Sequence, residues 1–345
     1  MNKTPLLRIG VIGYGYWGPN LVRSFAALQD AEVACVCDLQ QPRREHLGVN
    51  YPQVPAVHDW RQLVADPSVD AVVVATPVST HYAIAREALG NGKHVLVEKP
   101  LTVSSAEAAE LIEMSRQRQL TLMVGHTFVY QGAVRKIREI VRAGELGEVL
   151  YIDSTRANFG ILQDDINVVW DLAPHDISIM DFVLDRTPLS VSATGASHTT
   201  KGLEEVAFLT FYFPGGLIAH VNVSWLAPIK IRRMIIGGTR RMLVYDDLEA
   251  AAKLKIYDCS IELGEAGMKR HSDLMRRSSG DAVIPELNGT EALLMEARDF
   301  VGSIRERRPP VADGESGLRV VRLLELASRS LAARGAPVEV GDWHL

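Results

Sequence analysis

Leu7-Arg8-Ile9-Gly10-Val11-Ile12-Gly13-Tyr14-Gly15-Tyr16-Trp17-Gly18-Pro19 is the stretch that decides the fold of this chain. Leu7 to Ile12 is a mostly apolar run of strand length. Gly13, Gly15 and Gly18 follow it directly and spell G-x-G-x-x-G. A second apolar run, Val33 to Cys37, closes on Asp38, 20 residues after Gly18. Strand, glycine turn, helix, strand and then an acid about 20 residues on is the fingerprint of a dinucleotide site. Gly13 permits the tight turn, Gly15 lets the backbone approach a pyrophosphate, and Gly18 lets the helix pack close to the strand. Pro19 suits a first helical turn, where its missing N–H costs nothing. The exposed N–H groups at that helix start face the phosphates. Tyr14, Tyr16 and Trp17 belong to the same coenzyme-binding turn.

Asp38 speaks to which dinucleotide. A carboxylate at the end of the second strand accepts hydrogen bonds from a ribose diol and repels a 2′-phosphate. This favours NAD. Arg43 and Arg44, five and six residues later, could still fold back toward a 2′-phosphate, so NADP stays open.

A length of 345 residues suggests two domains, each with its own core. Hydrophobic residues at 47% and charged residues at 23% are ordinary for a soluble globular protein. A net charge of −5 argues against a nucleic-acid partner, which calls for a basic domain. Cys35, Cys37 and Cys259 are the only cysteines, and C-x-C without a second pair reads as buried, reduced thiols in a cytoplasmic protein. Val206 to Ile229 lacks Asp, Glu, Lys and Arg and is long enough to span a bilayer. Pro214-Gly215-Gly216 interrupts it, however, so two strands joined by a tight turn are expected, and no membrane span.

From Arg8 to Gly125 strands alternate with helices. The strands expected are Arg8–Ile12, Glu32–Cys37, Ala71–Ala75, His94–Glu98 and Thr121–Val124. Helices are expected at about Pro19–Leu28, Trp60–Val64, Thr80–Asn91 and Ala106–Gln117. Near-continuous apolar strands of this kind form a doubly wound parallel sheet, the Rossmann form of α/β architecture. After His126 the pattern changes. A helix at Val134–Ala143 leads into strands at Val149–Ala157, Ser190–Ser197, Val206–Phe213, Leu217–Trp225, Ile231–Gly237 and Met242–Tyr245, with a helix near Pro174–Leu184 after the first. Strands joined by hairpins indicate an α+β domain with a large, mostly antiparallel sheet. Helices near Thr290–Arg305 and Gly317–Ala333 close the chain, and Lys269 to Gly280 reads as an exposed loop. The expected division is 1–125 for dinucleotide binding and 126–345 for substrate binding and oligomerisation.

Two constellations carry chemistry. Glu98-Lys99-Pro100 ends a strand, and ligands of open parallel sheets bind at the carboxyl ends of strands. A lysine there points into the coenzyme crevice, although a surface lysine at a strand end would read the same way. Asp171 and His175 are four apart in Trp170-Asp171-Leu172-Ala173-Pro174-His175-Asp176 and share a face if the segment is helical. A carboxylate beside a histidine can orient the ring for moving a hydroxyl proton. A helix-capping aspartate with a packed histidine, or a metal pair, are the alternatives. No further ligand cluster supports a metal. Arg156 with Asn158, and Lys230 with Arg232, alternate onto strand faces. There they could meet a diphosphate or be ordinary sheet polarity.

The glycine turn, Glu98-Lys99-Pro100 and Asp171-x-x-x-His175, in that order, resemble the Gfo/Idh/MocA oxidoreductases, the glucose–fructose oxidoreductase and inositol dehydrogenase family. The resemblance implies a Rossmann domain, a C-terminal domain whose open sheet face serves oligomers, and NAD or NADP as coenzyme. It implies that Lys99 contacts nicotinamide and the substrate hydroxyl, and that Asp171 and His175 complete the catalytic set. Thr76, Pro77 and His81 match the family's loop along the dinucleotide. His126 stands where many members carry Asn. Ser224 to Lys230 is similar to the nucleotide-sugar members, which implies a sugar dehydrogenase or reductase acting at C3. Free-polyol dehydrogenases, NAD-dependent glycoside hydrolases and NAD-binding sensors are the rival readings.

Overall fold

The computed structural model describes residues 5–341 apart from 161, 164, 200, 201 and 264–274. The chain divides into two compact units. One comprises the residues up to Tyr130 together with Thr290–Arg322, and the other comprises Gln131–Gly289 with the residues from Leu323 onward.

In the first unit strand and helix alternate as β1 (Leu7–Ile12), α1 (Gly18–Ala26), β2 (Ala31–Cys37), α2 (Gln41–Asn50), β3 (Ala56–Val57), α3 (Trp60–Ala65), β4 (Ala71–Val74), α4 (His81–Gly90), β5 (His94–Glu98), α5 (Ser105–Gln117) and β6 (Leu122–Gly125). The sheet runs β3-β2-β1-β4-β5-β6 and all its pairs are parallel. This is the doubly wound order, reversing between β1 and β4. Helices cover both faces, so the four residues of β4 are fully buried. α2 and β3 are additions to the expected pattern. α2 buries only Leu47, so it lacks the apolar stripe that would mark a helix, and β3 has only two residues.

The boundary expected at 125/126 is corrected by the structure. The unit runs on to Tyr130 and takes back 290–322. In the helix Ala292–Glu306 the buried Leu293, Ala297, Phe300 and Val301 form one stripe. Phe300 meets Phe25 edge-on at 6.2 Å. The Tyr130 hydroxyl donates to Asp299 at 2.8 Å, and Arg23 pairs with Glu291. Apolar burial and these polar contacts bind the late helix to the early fold.

The second unit holds α6 (Gly132–Arg142), β7 (Val149–Phe159), α7 (Val168–Leu184), β8 (Ser190–Ala196), β9 (Val206–Tyr212), β10 (Ile218–Ser224), β11 (Leu226–Gly238), β12 (Met242–Asp246), β13 (Leu254–Leu263), β14 (Met275–Val283) and β15 (Val338–Glu339). Its sheet runs β14-β13-β12-β11-β7-β10-β9-β8-β15, and only β7 with β10 is parallel. One face is buried through Ile152, Val221, Leu209, Ile236 and Leu243. Between β9 and β10, Gly215 (φ 81°) and Gly216 (φ 84°) make the tight turn that splits the uncharged stretch into two antiparallel strands. Among the described residues no helix is long and apolar enough to cross a membrane. Residues 275–280, expected in a loop, lie in β14, while 269–274 fall outside the described residues.

Candidate active site

The glycine turn sits where β1 meets β4. Gly13 has φ 98°, a region that disfavours any side chain, and a Cβ there would run into the Ala75 carbonyl. A Cβ on Gly18 would run into the Gly13 carbonyl, so α1 packs tightly on the turn. Gly15 is different. Its nearest neighbour is the Arg43 guanidinium, 3.3 Å from where a Cβ would stand, and no backbone crowds it. Trp17 precedes α1 without capping it by a side chain, which suits the helix start to phosphate oxygens. Tyr14 is buried and Tyr16 is 92% exposed.

Asp38 is buried at the end of β2. Its Oδ2 accepts the Tyr14 N–H at 2.7 Å and its Oδ1 the Gln40 N–H at 2.8 Å. The acid therefore also ties β2 to the glycine turn. Arg43 lies 3.3 Å from Asp38, and Arg44 donates to the Asp38 and Leu39 carbonyls. Both arginines expected to be available to a 2′-phosphate thus have partners beside the acid.

At the ends of β4, β5 and β6 lies a second group. Thr76 and Thr80 hydroxyls bond at 2.7 Å, and the Thr80 hydroxyl also donates to the Pro77 carbonyl. His81 was expected to touch the dinucleotide. Its ring nitrogens instead face main-chain carbonyls, Nδ1 that of Pro100 at 2.9 Å and Nε2 that of Thr76 at 2.8 Å. Burial pulls its pKa down, and a neutral ring donates to one of the two. His81 therefore straps two loops together rather than reaching a ligand itself. Glu98 pairs in register with Gly125, whose missing side chain leaves room for the Glu98 carboxyl. Burial raises that carboxyl to about 7, against the opposing charge of Lys99. Lys99 follows, joined to Pro100 by a cis bond.

His126 is 1% exposed, and neither ring nitrogen has a hydrogen-bond partner among the described residues. Burial, and then the charges of Lys99 and Arg319, lower its pKa to about 3, so the ring is neutral at physiological pH. A buried neutral imidazole without partners is suited to a polar ligand group. Glu296, in the helix Ala292–Glu306, is an addition to the expected residues. It is 1% exposed, and its carboxyl is raised well above the ordinary value by burial and the charge of Glu98. Its signal was in the sequence: it stands three residues after Leu293 on the apolar stripe of that helix.

The second unit places Asp171 and His175 on α7, one turn apart and so on one face. The helix starts six residues earlier than expected. Asn167 caps it, its Oδ1 accepting the Trp170 N–H at 3.2 Å, and Pro174 lies inside the helix rather than at its start. Asp171 falls in the first turn, where a carboxylate complements the helix dipole. Its Oδ2 accepts the Trp225 indole N–H at 3.0 Å.

The basic residues expected to meet a diphosphate are mostly engaged. Arg156 is buried and pairs with Asp176, Nε to Oδ2 at 2.6 Å, while the Ser154 hydroxyl donates to the same carboxylate at 2.8 Å. Arg232, beside Arg156 across the ladder, pairs with Asp247 at 3.1 Å. Burial works to raise the Asp247 carboxyl, but Lys253 and Arg232 outweigh it and hold it low. Lys230 does not follow the expected alternation. Between Leu226 and Ile231 the register against β7 shifts, placing five steps of β11 against two of β7. Lys230 sits in this bulge and is exposed. Asn158 is half-buried, and its Oδ1, shut off from solvent, takes no hydrogen bond from the described residues.

Cys35 and Cys37 are buried thiols whose pKa values burial pushes up to about 11 and about 12. Among the described residues no three His, Cys, Asp or Glu side chains gather as a metal site needs. The glycine cradle, the anchored Asp38, the uncapped α1 and the unpartnered His126 together fit a dinucleotide.

Comparison with known proteins agrees. The family model described as "Oxidoreductase family, NAD-binding Rossmann fold" matches residues 7–126, and the "GFO/IDH/MocA C-terminal domain" matches 134–244. UDP-N-acetylglucosamine 3-dehydrogenase of Acidithiobacillus ferrooxidans is 31% identical over 91% of this chain and 94% of its own length. Its solved structure superposes with a TM-score of 0.78, at 28% identity over 96% of this chain and 99% of that one. Myo-inositol 2-dehydrogenase of Thermotoga maritima is 24% identical over 94% of this chain and 96% of its own. Matched in both halves and along nearly its full length, the chain belongs to the Gfo/Idh/MocA oxidoreductase family, with an NAD-binding Rossmann domain at its N-terminus.

Proposed function

We propose that this protein moves a hydride between NAD and the C3 alcohol or ketone of a nucleotide-linked sugar. The observation that carries the reading is the 31% identity, over 91% of the chain, to a UDP-N-acetylglucosamine 3-dehydrogenase. The inositol dehydrogenase is less similar at 24%. The turn Gly13–Gly18 with Asp38, Thr76, Pro77, Glu98, Lys99 and His126 holds the coenzyme. When bound, the nicotinamide supplies the hydride acceptor or donor. His175 takes the hydroxyl proton during oxidation and returns it during reduction. Lys99 donates to the substrate oxygen and stabilises the negative charge that develops there. Asp171 orients the group. Asn158, with its open acceptor, and Lys230, exposed on its bulge, serve the substrate, while Arg156 and Arg232 hold the sheet face behind them.

The second unit is also the seat of oligomerisation in this reading, and the cytoplasm is where the protein works. Phe208, Tyr212 and Ile218 project from the sheet face opposite the buried Leu209 and Phe211, and they are 44%, 39% and 40% exposed. An apolar patch of this kind suits a second copy of the chain. Light scattering should then give a dimer or tetramer, and Phe208→Glu should shift it toward monomer.

The deciding experiment is a thermal-shift screen of NAD and NADP crossed with UDP-sugars, dTDP-sugars and free cyclitols, followed by absorbance of reduced nicotinamide. NAD with a nucleotide sugar should stabilise the protein and turn over. Turnover with free inositol alone would replace the nucleotide sugar by a cyclitol. Sugar release without net change in the coenzyme would identify a hydrolase.

A further inference from the structure

Trp225 is a large side chain, 1% exposed, at the junction of β10 and β11. Its main chain is fixed on both sides. The N–H donates to the Glu205 carbonyl at 2.9 Å, and the carbonyl accepts the Gly160 N–H at 3.1 Å. The indole N–H, the only polar group of the side chain, goes to Asp171 Oδ2.

The other end of this contact hangs from the same short segment. The Val168 N–H, at the first turn of α7, donates to the Glu204 carbonyl at 2.9 Å. Asn167, the cap of that helix, donates its amide to Glu204 Oε2 at 2.7 Å. Adjacent residues, Glu204 and Glu205, therefore set the position of the helix bearing the carboxylate and of the indole that meets it. Glu205 is itself fully buried and accepts the His198 and Thr199 N–H groups. A buried ring held by its backbone, facing a first-turn carboxylate held by its cap, leaves that carboxylate little rotational freedom.

We propose that Trp225 is a positioning residue for the reaction: its indole N–H fixes the Asp171 carboxylate in the orientation that turnover requires. This rests on the role given to Asp171 above. The indole takes no part in proton or hydride movement; it removes the alternative rotamers of a group that does. A bond between a neutral donor and a carboxylate is strong enough to hold one rotamer in a shielded site.

Trp225→Phe in the full-length protein keeps an aromatic ring, smaller than the indole, and removes the donor. It should lower kcat about tenfold or more, the scale of a lost hydrogen bond to a charged group. The coenzyme Kd should stay within about twofold, since only the second unit is altered. The same substitution in an Asp171→Ala background should change the residual kcat less than about twofold, because the bond it breaks is already gone. Full kcat in Trp225→Phe, or an equal loss in both backgrounds, overturns the proposal. Where Trp225→Phe does not fold, Asp171→Glu decides: it keeps the charge and moves it one methylene from its seat. A loss matching Asp171→Ala upholds the proposal, and wild-type turnover overturns it. Wild-type turnover in Asp171→Ala itself would instead remove Asp171 from the reaction, and the proposed function would fail at that point.

Discussion

The two units put polar groups to different uses. In the first, the proposed chemistry stands on main-chain turns at the ends of parallel strands. At Gly15 a Cβ would meet the Arg43 side chain and no backbone, α1 starts without a side-chain cap, and the His126 ring is unpartnered among the described residues. In the second, two arginines of the sheet are already paired, Arg156 with Asp176 and Arg232 with Asp247. A site for a large, fixed coenzyme can be built from backbone and a few open donors. A sheet face that carries several charges must first neutralise them, because an unpaired buried charge is costly.

The largest expected effect tests the paired side of this contrast. Asp176→Ala leaves the Arg156 guanidinium buried without its carboxylate, and should cost about 3–5 kcal/mol in urea denaturation. A loss below about 1 kcal/mol would mean that Arg156 is available for substrate after all. Next come Lys99→Ala and His175→Ala, each expected to lower kcat about 100-fold or more while the fold is retained. Full turnover in both would end the catalytic assignment. Asp38→Ser should weaken NAD binding about tenfold by calorimetry, since the acid anchors the Tyr14 N–H of the glycine turn and, in the proposed site, accepts from the ribose. Unchanged NAD affinity would detach the acid from the coenzyme.

The last test is a pH dependence inside the first unit. Glu98 binds its proton more tightly in the fold than in the unfolded chain, about 7 against 4.5. Its contribution is complete below pH 4.5 and is lost as pH rises through 7. His126 binds its proton more weakly in the fold, about 3 against 6.5. Its contribution is complete above pH 6.5 and is lost as pH falls toward 3. Each slope approaches about 1.4 kcal/mol per pH unit between the two pKa values. Glu98→Gln should reduce the loss on the alkaline side of pH 4.5, to which Glu296 also contributes, and His126→Gln the loss on the acid side of pH 6.5. Denaturant titrations from pH 4 to pH 8 measure both. Variants with the wild-type profile would show that these groups are not enclosed as described.

Legibility followed the same divide. The glycine turn, Asp38 and Glu98-Lys99-Pro100 are local patterns, and the parallel strands that bear them are apolar runs. The pairing of Arg156 with Asp176 joins residues 20 apart on different elements, and that of Arg232 with Asp247 crosses a hairpin. Nothing in alternation along one strand announces such partners. The bulge at Lys230 breaks the period of two on which the face assignment relied. His81 has the right place in its loop, but only the fold shows that carbonyls from two loops occupy its ring.

The amino-acid sequence alone determined the Rossmann order, the coenzyme-binding turn, the change to a hairpin-rich second half and the one-face pairing of Asp171 with His175. Each depends on residues within a few turns or strands of one another, where steric limits and periodicity act directly. Tertiary structure alone decided that residues 290–322 return to the first unit, that Glu296 lies buried near Glu98, that arginines on the sheet are neutralised and that Trp225 holds Asp171. Those outcomes depend on burial and on partners brought from afar, and the strength of a charge or a hydrogen bond is set by the surroundings that folding supplies.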